Sequence, residues 1–118
     1  MEFKEIYKMQ IDNQSLLIDN HLYDGVDNIS LPSDNVFLSS YHIQQLMSEI
    51  GEVLAADKRW KNIRNDKYDY NNKLEEIADC FIVTMNVAMF SGISAEDLEK
   101  AIVDKMKIVN TRFKEKLS

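Results

Sequence analysis

Residues 74–90 read LEEIADCFIVTMNVAMF, and the expected architecture follows largely from this run. At helical spacing its apolar residues form two stripes on opposite sides of one helix. A helix that is apolar nearly all round must be covered on both sides, whereas 118 residues offer one core. We therefore expect one stripe in the core and the other against a second subunit, in a homodimer or homotetramer. The predicted core stripe comprises Leu74, Ile77, Ala78, Phe81, Ile82, Met85 and Met89, and the predicted subunit stripe comprises Cys80, Val83, Val87 and Phe90.

Three further segments with helical periodicity flank this run. With only three Gly and one Pro, the chain has little material for hairpins, and no alternating β pattern persists. The expected fold is therefore all-α, a four-to-five-helix bundle forming one domain over residues 1–118. The four predicted helices cover about residues 2–21, Ser39 or Ser40 to Trp60, residues 72–91, and residues 95 almost to 118.

Local signals predict where these helices begin and end. Ser39 or Ser40 is the expected N-cap of the second helix. Gly92 is expected to end the third helix in the left-handed conformation, and Ser94 to cap the fourth with Asp97 three residues on. Polar loops are predicted before the second helix and over residues 62–71.

Composition excludes several classes of protein. A formal charge of −6 argues against a nucleic-acid binder, which needs a basic face. One cysteine, Cys80, forms no disulfide framework, and the apolar run over 80–90 is too short to cross a bilayer. Charged residues directly after Met1 argue against a signal peptide, so we expect a cytoplasmic protein with no membrane partner. His21 and His42 belong to no ligand-spaced cluster and are expected at the surface or in caps.

Two pairs of acidic residues occur at a spacing of three. Glu49 and Glu52 lie on neighbouring turns of the second helix, and Glu76 and Asp79 do so on the third. Ordinary solvated helix faces show the same spacing, but carboxylates beside an apolar stripe are costly unless a cation compensates them. Four carboxylates suit Mg²⁺, with Mn²⁺ as the alternative. A di-iron site is disfavoured because it uses Glu-x-x-His pairs.

Other polar residues interrupt apolar faces. Lys105 and Arg112 lie two turns apart on the apolar face of the fourth helix and need anions nearby, either acids of other helices or phosphates. Gln10 and Gln14 lie in the apolar stripe of the first helix, where they bond either to backbone or to a nucleobase edge. Trp60 is expected either in packing or in base stacking.

The residues SEIGEVL at 48–54, followed by LEEIAD at 74–79, resemble the E-x-x-E … E-x-x-D signature of the MazG-like all-α nucleoside triphosphate pyrophosphohydrolases. The stretch from Gly92 to Arg112 is similar to the last helix of that family, and the resemblance covers about residues 38–113. Met9 and Gln10, together with KRWK at 58–61, are similar to segments of the related dimeric dUTPases.

This resemblance implies hydrolysis of a nucleoside triphosphate at its α-phosphorus, giving monophosphate and pyrophosphate, as house-cleaning of the nucleotide pool. The metal ligands and catalytic acids it implies are Glu49, Glu52, Glu76 and Asp79, and the implied phosphate-binding residues are Lys105, Asn110 and Arg112. The candidate base-binding residues are Gln10, Gln14 and Trp60. Two alternatives stay open: an enzyme of dUTPase or dCTPase type specific for a pyrimidine deoxynucleotide, and a non-catalytic helical oligomerisation module.

Overall fold

The computed structural model describes residues 1–61 and 66–118, and its helices confirm the all-α fold. Neither described range contains a β-strand. Of the predicted loop over 62–71, residues 62–65 lie outside the described residues. None of the helices in the described part of the chain is both long and apolar enough to cross a bilayer. The elements are α1 (Phe3–Asp19), α2 (Val36–Ala56), a short 3-10 turn (Lys58–Trp60), α3 (Tyr70–Met89) and α4 (Ala95–Leu117).

The predicted boundary between α3 and α4 is confirmed. Gly92 has a φ of +76°, the left-handed conformation that a side chain disfavours. Its backbone also passes close to Asp34, because a Cβ at Gly92 would lie 3.3 Å from the Asp34 nitrogen. Ser94 then caps α4, with its Oγ accepting a hydrogen bond from the Asp97 backbone nitrogen at 3.1 Å.

The predicted start of α2 is wrong. The helix begins at Val36 because the Asn35 side chain accepts a hydrogen bond from the Leu38 nitrogen at 3.0 Å, which makes Asn35 the cap. Ser39 lies inside the first turns and is buried. Asn35 also donates its backbone N–H to the carbonyl of Phe90 at 2.8 Å, so the start of α2 is anchored to the end of α3.

The helices α2 and α3 form an antiparallel pair. At one end of the pair Asn35 meets Phe90, and at the other Lys73 donates to Asp57 at 3.0 Å. The helix α1 also runs antiparallel to α3. Gln10 of α1 bonds to Asn86 of α3, and Leu17, later in α1, lines the same cleft as Asp79, which comes earlier in α3. Two helices therefore flank α3, and a single chain holds it on two sides.

The core lies where α1, the end of α3 and the segment after α1 meet. Its members are Tyr7, Ile18, Val26, Met85, Ala88, Met89 and Phe90. The Tyr7 hydroxyl donates to the carbonyl of Ile93 at 2.6 Å, which connects α1 to the α3–α4 junction. Because these contacts gather at one end of the helices, the opposite end is covered less.

The predicted core stripe of α3 is confirmed for Met85 and Met89, which lie in the core, but the rest of the assignment of the two stripes is wrong. Val83 is 5% exposed and Phe90 is fully buried, because α1 and the start of α2 pack against that side. Leu74 and Phe81, which were expected in the core, are 52% and 69% exposed. The side of α3 that this chain leaves uncovered is therefore the stripe of Leu74, Ile77 and Phe81.

Candidate active site

Acidic side chains from α2 and α3 meet between the two helices. One carboxylate oxygen of each of Glu49, Glu76 and Asp79 lies within 4.8 Å of the others. This follows from the antiparallel pairing, which sets the turn of α2 that carries Glu49 beside the turn of α3 that carries the other two. The predicted gathering of acids from two helices is therefore present.

Glu52 lies at the margin of this group. Its side chain is exposed and is not part of the tight trio. Its carboxylate is nevertheless close enough to raise the pKa of both Glu49 and Glu76. Cys80 follows Asp79 on α3, and burial, followed by the charges of all four acids, raises the pKa of its thiol.

Two oxygens of the cluster have no hydrogen-bond partner in the described part of the chain. Glu49 Oε2 and Glu76 Oε2 are buried, and neither has a hydrogen-bond donor within the described residues. The pKa of each carboxyl is raised above its ordinary value, first by burial and then by the neighbouring Glu52 and Asp79. A buried acceptor without a donor is costly, and like charges at this distance add to that cost.

Asp57, which follows the last residue of α2, is a buried carboxylate whose charge is compensated by basic side chains of the protein itself. It is 8% exposed and accepts from Arg59 Nη2 at 2.7 Å and from Lys73 Nζ at 3.0 Å. These cations lower its pKa well below the ordinary value. The cluster of Glu49 and Glu76 has no such cation among the ion pairs of the described chain.

The residues of the cluster fit a divalent cation. Carboxylate oxygens are the hard ligands that Mg²⁺ and Mn²⁺ prefer. The two buried oxygens without donors supply positions that a cation would satisfy. Glu49, Glu76 and Asp79 are close enough to share one ion, with Glu52 beside them.

A cleft of about 450 Å³ opens next to the acids, between α1, α2 and α3. Its volume falls within the range of small-molecule sites. Glu49 and Asp79 line one end of it, so a ligand in the cleft would contact the carboxylate cluster. Other lining residues include Gln10, Gln14, Tyr23, Tyr41, His42 and Asn86.

Side-chain amides on one wall of the cleft are held by hydrogen bonds. Gln10 Nε2 donates to Asn86 Oδ1 at 2.9 Å, and the hydroxyl of Tyr23 donates to Gln14 Oε1. Both glutamines therefore form hydrogen bonds within the protein, which was one of the two predicted alternatives, but their partners are side chains rather than the backbone. Both glutamines also line the cleft, so the two interpretations are compatible.

The expectation that His42 lies at the surface or in a cap is wrong. Its ring is 2% exposed and stacks on Phe90 with centroids 5.3 Å apart. Nδ1 lies 3.2 Å from Gln45 Oε1, and Nε2 lies 3.4 Å from the hydroxyl of Tyr23. Burial lowers its pKa. A signal was present in the sequence, since His42 and Glu49 are seven residues apart and share one side of α2.

The sequence patterns also did not identify Asn86 and Tyr23 as residues of the cleft. Asn86 lies in the apolar run of α3, where an amide must find a partner, and this is the available signal. Tyr23 follows α1 in a loop of irregular sequence, and no periodic pattern places it in the cleft.

The predicted phosphate-binding residues lie apart from this cleft in the single chain. Lys105 and Asn110 line a separate depression formed by α4 residues, and Arg112 is exposed on the same helix. No α4 residue lines the cleft. Trp60 also lies outside it: its indole donates to the carbonyl of Leu54 at 3.3 Å, and its ring is 55% exposed.

The arrangement offers a place for a divalent cation at one end of a cleft and an amide and aromatic wall along its side. Such a cleft has the volume and the polar groups of a small-molecule site. Comparison of the chain with protein-family models, curated proteins and solved structures found no match.

Proposed function

We propose that the protein is a metal-dependent nucleoside triphosphate pyrophosphohydrolase of the MazG-like type, working as a homodimer or homotetramer. It would hydrolyse ordinary or damaged nucleotides to monophosphate and pyrophosphate, and so clean the nucleotide pool. The observation that carries the proposal is the pair of buried oxygens of Glu49 and Glu76, which have no hydrogen-bond donor within the described residues and belong to the cluster that meets the cleft through Glu49 and Asp79.

The acids would hold Mg²⁺ or Mn²⁺. Glu49, Glu76 and Asp79 offer oxygens close enough to share an ion, and Glu52 stands beside them. When bound, the ion would neutralise triphosphate charge and help to orient and acidify the attacking water. The contrast with Asp57, which has two cations of its own, supports an external cation at the cluster.

In the proposed reaction, the oxygen of water forms a bond to the α-phosphorus, and the bond from that phosphorus to the bridging oxygen of the β-phosphate breaks. Pyrophosphate leaves with that oxygen. The water proton passes to one of the four carboxylates, whose pKa values are raised at Glu49 and Glu76. Lys105, Asn110 and Arg112 would hold the β- and γ-phosphates.

The amide wall would hold the base. The oxygens of Asn86 and Gln14 accept hydrogen bonds from Gln10 and Tyr23, and within the described residues neither Asn86 Nδ2 nor Gln14 Nε2 donates one. These two N–H groups are therefore available to acceptors on a base edge. Carbonyl-bearing pyrimidines supply such acceptors, which keeps the dUTPase or dCTPase type as a special case. Trp60 would reach a base only through a second subunit or a rearrangement of its loop.

A specific observation also favours a non-catalytic oligomerisation module. Large apolar side chains stand exposed on α2, α3 and α4, as an assembly protein requires. Such a module has no need of the acidic cluster, so metal binding separates the two proposals.

The test is a panel of ribonucleotides and deoxyribonucleotides, including dUTP and dCTP, with Mg²⁺ in heavy-oxygen water. We expect monophosphate and pyrophosphate by phosphorus NMR, with the heavy oxygen in the monophosphate. Label in pyrophosphate would indicate attack at the β-phosphorus. Formation of diphosphate and orthophosphate would exclude attack at the α-phosphorus, and a folded protein that turns over nothing would contradict the proposal.

Two variants and one control sharpen this assay. Glu49→Gln and Asp79→Asn remove candidate ligands with little change of shape and should abolish turnover. Glu75→Gln removes an exposed carboxylate next to Glu76 and should retain most of it. Equal losses in all three variants would show that net charge, not the cluster, supports the reaction.

A further inference from the structure

The helix α4 has no buried residue, although it extends over 23 residues, about 34 Å. An apolar stripe with spacings of four, three and four runs along it, composed of Ile102, Met106, Val109 and Phe113. Met106 is 65% exposed and Phe113 is 62% exposed. The start of α4, with Ala95 and Leu98, packs against the core, whereas the stripe from Ile102 to Phe113 lies beyond it. An isolated amphipathic helix of this kind needs an apolar surface to cover it.

The α2–α3 pair has an exposed stripe with the same spacing. On α2 it consists of Ile43, Met47, Ile50 and Leu54, and on α3 of Leu74, Ile77 and Phe81. Met47 and Phe81 are both 69% exposed. Between these helices an apolar groove of about 360 Å³ is lined by Ile50, Leu54 and Ile77. The chain therefore carries two uncovered apolar surfaces.

The exposed area has the size of a subunit interface. A compact monomer of 13.7 kDa has an accessible surface of about 6,600 Å². This chain exposes 8906 Å², an excess of about 2,300 Å² over that expectation. Obligate homodimers bury about 1,000–2,500 Å² per chain, so a second copy accounts for the excess. The radius of gyration, 17.7 Å against about 13.5 Å for a compact chain of this length, agrees with it.

The two surfaces also carry opposite charge. Residues 105–117 of α4 have five basic side chains and one acidic one. The helices α2 and α3 together have five acidic side chains and one basic one. Lys105 and Arg112 flank the α4 stripe on the same side, two turns apart, and take part in none of the ion pairs of the described chain. Complementary charge of this kind orients two protein surfaces.

We propose that α4 of one copy lies across the α2–α3 pair of a second copy and brings Lys105 and Arg112 to the second copy's acidic cluster. The docking is supported by the exposed apolar stripes, the excess of accessible area and the opposite charges of the two surfaces, and it does not depend on the proposed function. The role of the two cations as phosphate ligands rests on the proposed function. A single chain would then contain the acids and the cleft but an incomplete phosphate site.

Light scattering with two matched variants tests the docking. Phe113 and Leu16 are each 62% exposed, but only Phe113 belongs to the α4 stripe. Wild type and Leu16→Asp should have the mass of a dimer or tetramer at micromolar concentration, and Phe113→Asp should dissociate to monomer with its helix content retained. A monomeric wild type, or a Phe113→Asp variant that associates like wild type, would overturn the proposal.

Cross-linking shows which chain α4 covers. A carbodiimide joins a lysine to a carboxylate in contact with it, and mixing light and heavy-nitrogen copies distinguishes pairs within a chain from pairs between chains. We expect mixed-label peptides that join Lys105 to the cluster, lost in Lys105→Ala and kept in Lys100→Ala, since Lys100 pairs with Asp104 of its own helix. Same-label peptides only, or no cross-link from Lys105, would overturn the proposal.

Complementation connects the docking with turnover. Copies carrying Asp79→Asn and copies carrying Arg112→Ala, each inactive alone, should recover about a quarter of wild-type turnover when refolded together, because half of the dimers then have one intact site of two. Mixtures that stay inactive while wild type turns over would show that α4 serves its own chain. Failure of the proposed function is distinguishable, since wild type would then be inactive while the mixed-label cross-links remain.

Discussion

Glu49 and Glu76 lie on different helices, and each keeps one carboxylate oxygen buried without a hydrogen-bond donor within the described chain. Their pKa values are raised by burial and by the acids around them. The folded protein thus favours the protonated carboxyls. Near neutral pH, ionised carboxylates at these positions lower the stability of the metal-free protein, because no cation of the described chain compensates their charge. This relationship yields a prediction about stability that needs no substrate.

Glu76→Gln should stabilise the metal-free protein at mildly alkaline pH. The folded pKa of Glu76 exceeds its ordinary value of 4.5, so its stabilising contribution is present below that value and is lost as pH rises through the folded pKa. The variant removes that loss. Mg²⁺ should also stabilise wild type, by about 2.7 kcal/mol at 100 times its Kd, because it compensates the same charges, and it should stabilise the variant little. Thermal unfolding in the presence of a chelator or of Mg²⁺ measures both effects, and Glu75→Gln is the control. A Glu76→Gln variant that is less stable than wild type in the presence of the chelator would contradict this prediction.

Asn86→Leu should destabilise the fold by about 1–3 kcal/mol, because it leaves the Gln10 amide buried without its acceptor. The Gln10–Asn86 bond at 2.9 Å connects α1 to α3, and leucine keeps the volume of the side chain. Asn71→Leu, at an exposed position of α3, is the matched control and should cost less. Urea denaturation gives both values, and equal costs in the two variants would show that the buried bond contributes nothing particular.

The buried ring of His42 predicts acid sensitivity. Its folded pKa is lowered from 6.5 by burial, so its contribution to stability is complete above that value and is lost as pH falls below it. The unfolding midpoint of wild type should fall between about pH 7.5 and about pH 5.5 more steeply than that of His42→Gln. Parallel curves for the two proteins would mean that other groups, not His42, cause the acid sensitivity.

Local rules predicted the all-α fold, the boundary between α3 and α4 and the approach of acidic residues from α2 and α3. Gly92 and Ser94 act through contacts within a few residues, and the i,i+3 acids of α2 and α3 are brought together once the two helices pair. Asn35 rather than Ser39 caps α2 through a local bond to the Leu38 nitrogen, a signal that the sequence contains because Asn is a favoured N-cap, whereas the bond from Asn35 to Phe90 is not contained in any local pattern.

The two stripes of α3 could not be distinguished by the same means. Periodicity predicts that Val83 and Phe81 lie on different sides, but both sides are equally apolar. Which side is buried depends on where α1 packs, and that depends on contacts such as Tyr7 to Ile93 across the chain. Likewise, spacing places Lys105 and Arg112 on one face of α4, whereas the position of α4 relative to the acids depends on tertiary and quaternary contacts.

Binding of Mn²⁺ tests the central claim, that the acids gather a divalent cation, most directly. Free Mn²⁺ in water gives an electron paramagnetic resonance signal that is lost when protein ligands bind the ion. Titration of the metal-free protein with Mn²⁺ therefore counts the binding sites without any substrate. We expect a saturable loss of the free-ion signal at a fixed stoichiometry in wild type and in Glu75→Gln, competed by Mg²⁺ and abolished in Glu49→Gln and Asp79→Asn. A free-ion signal unchanged by folded wild-type protein, or equal binding in all four proteins, would contradict the account.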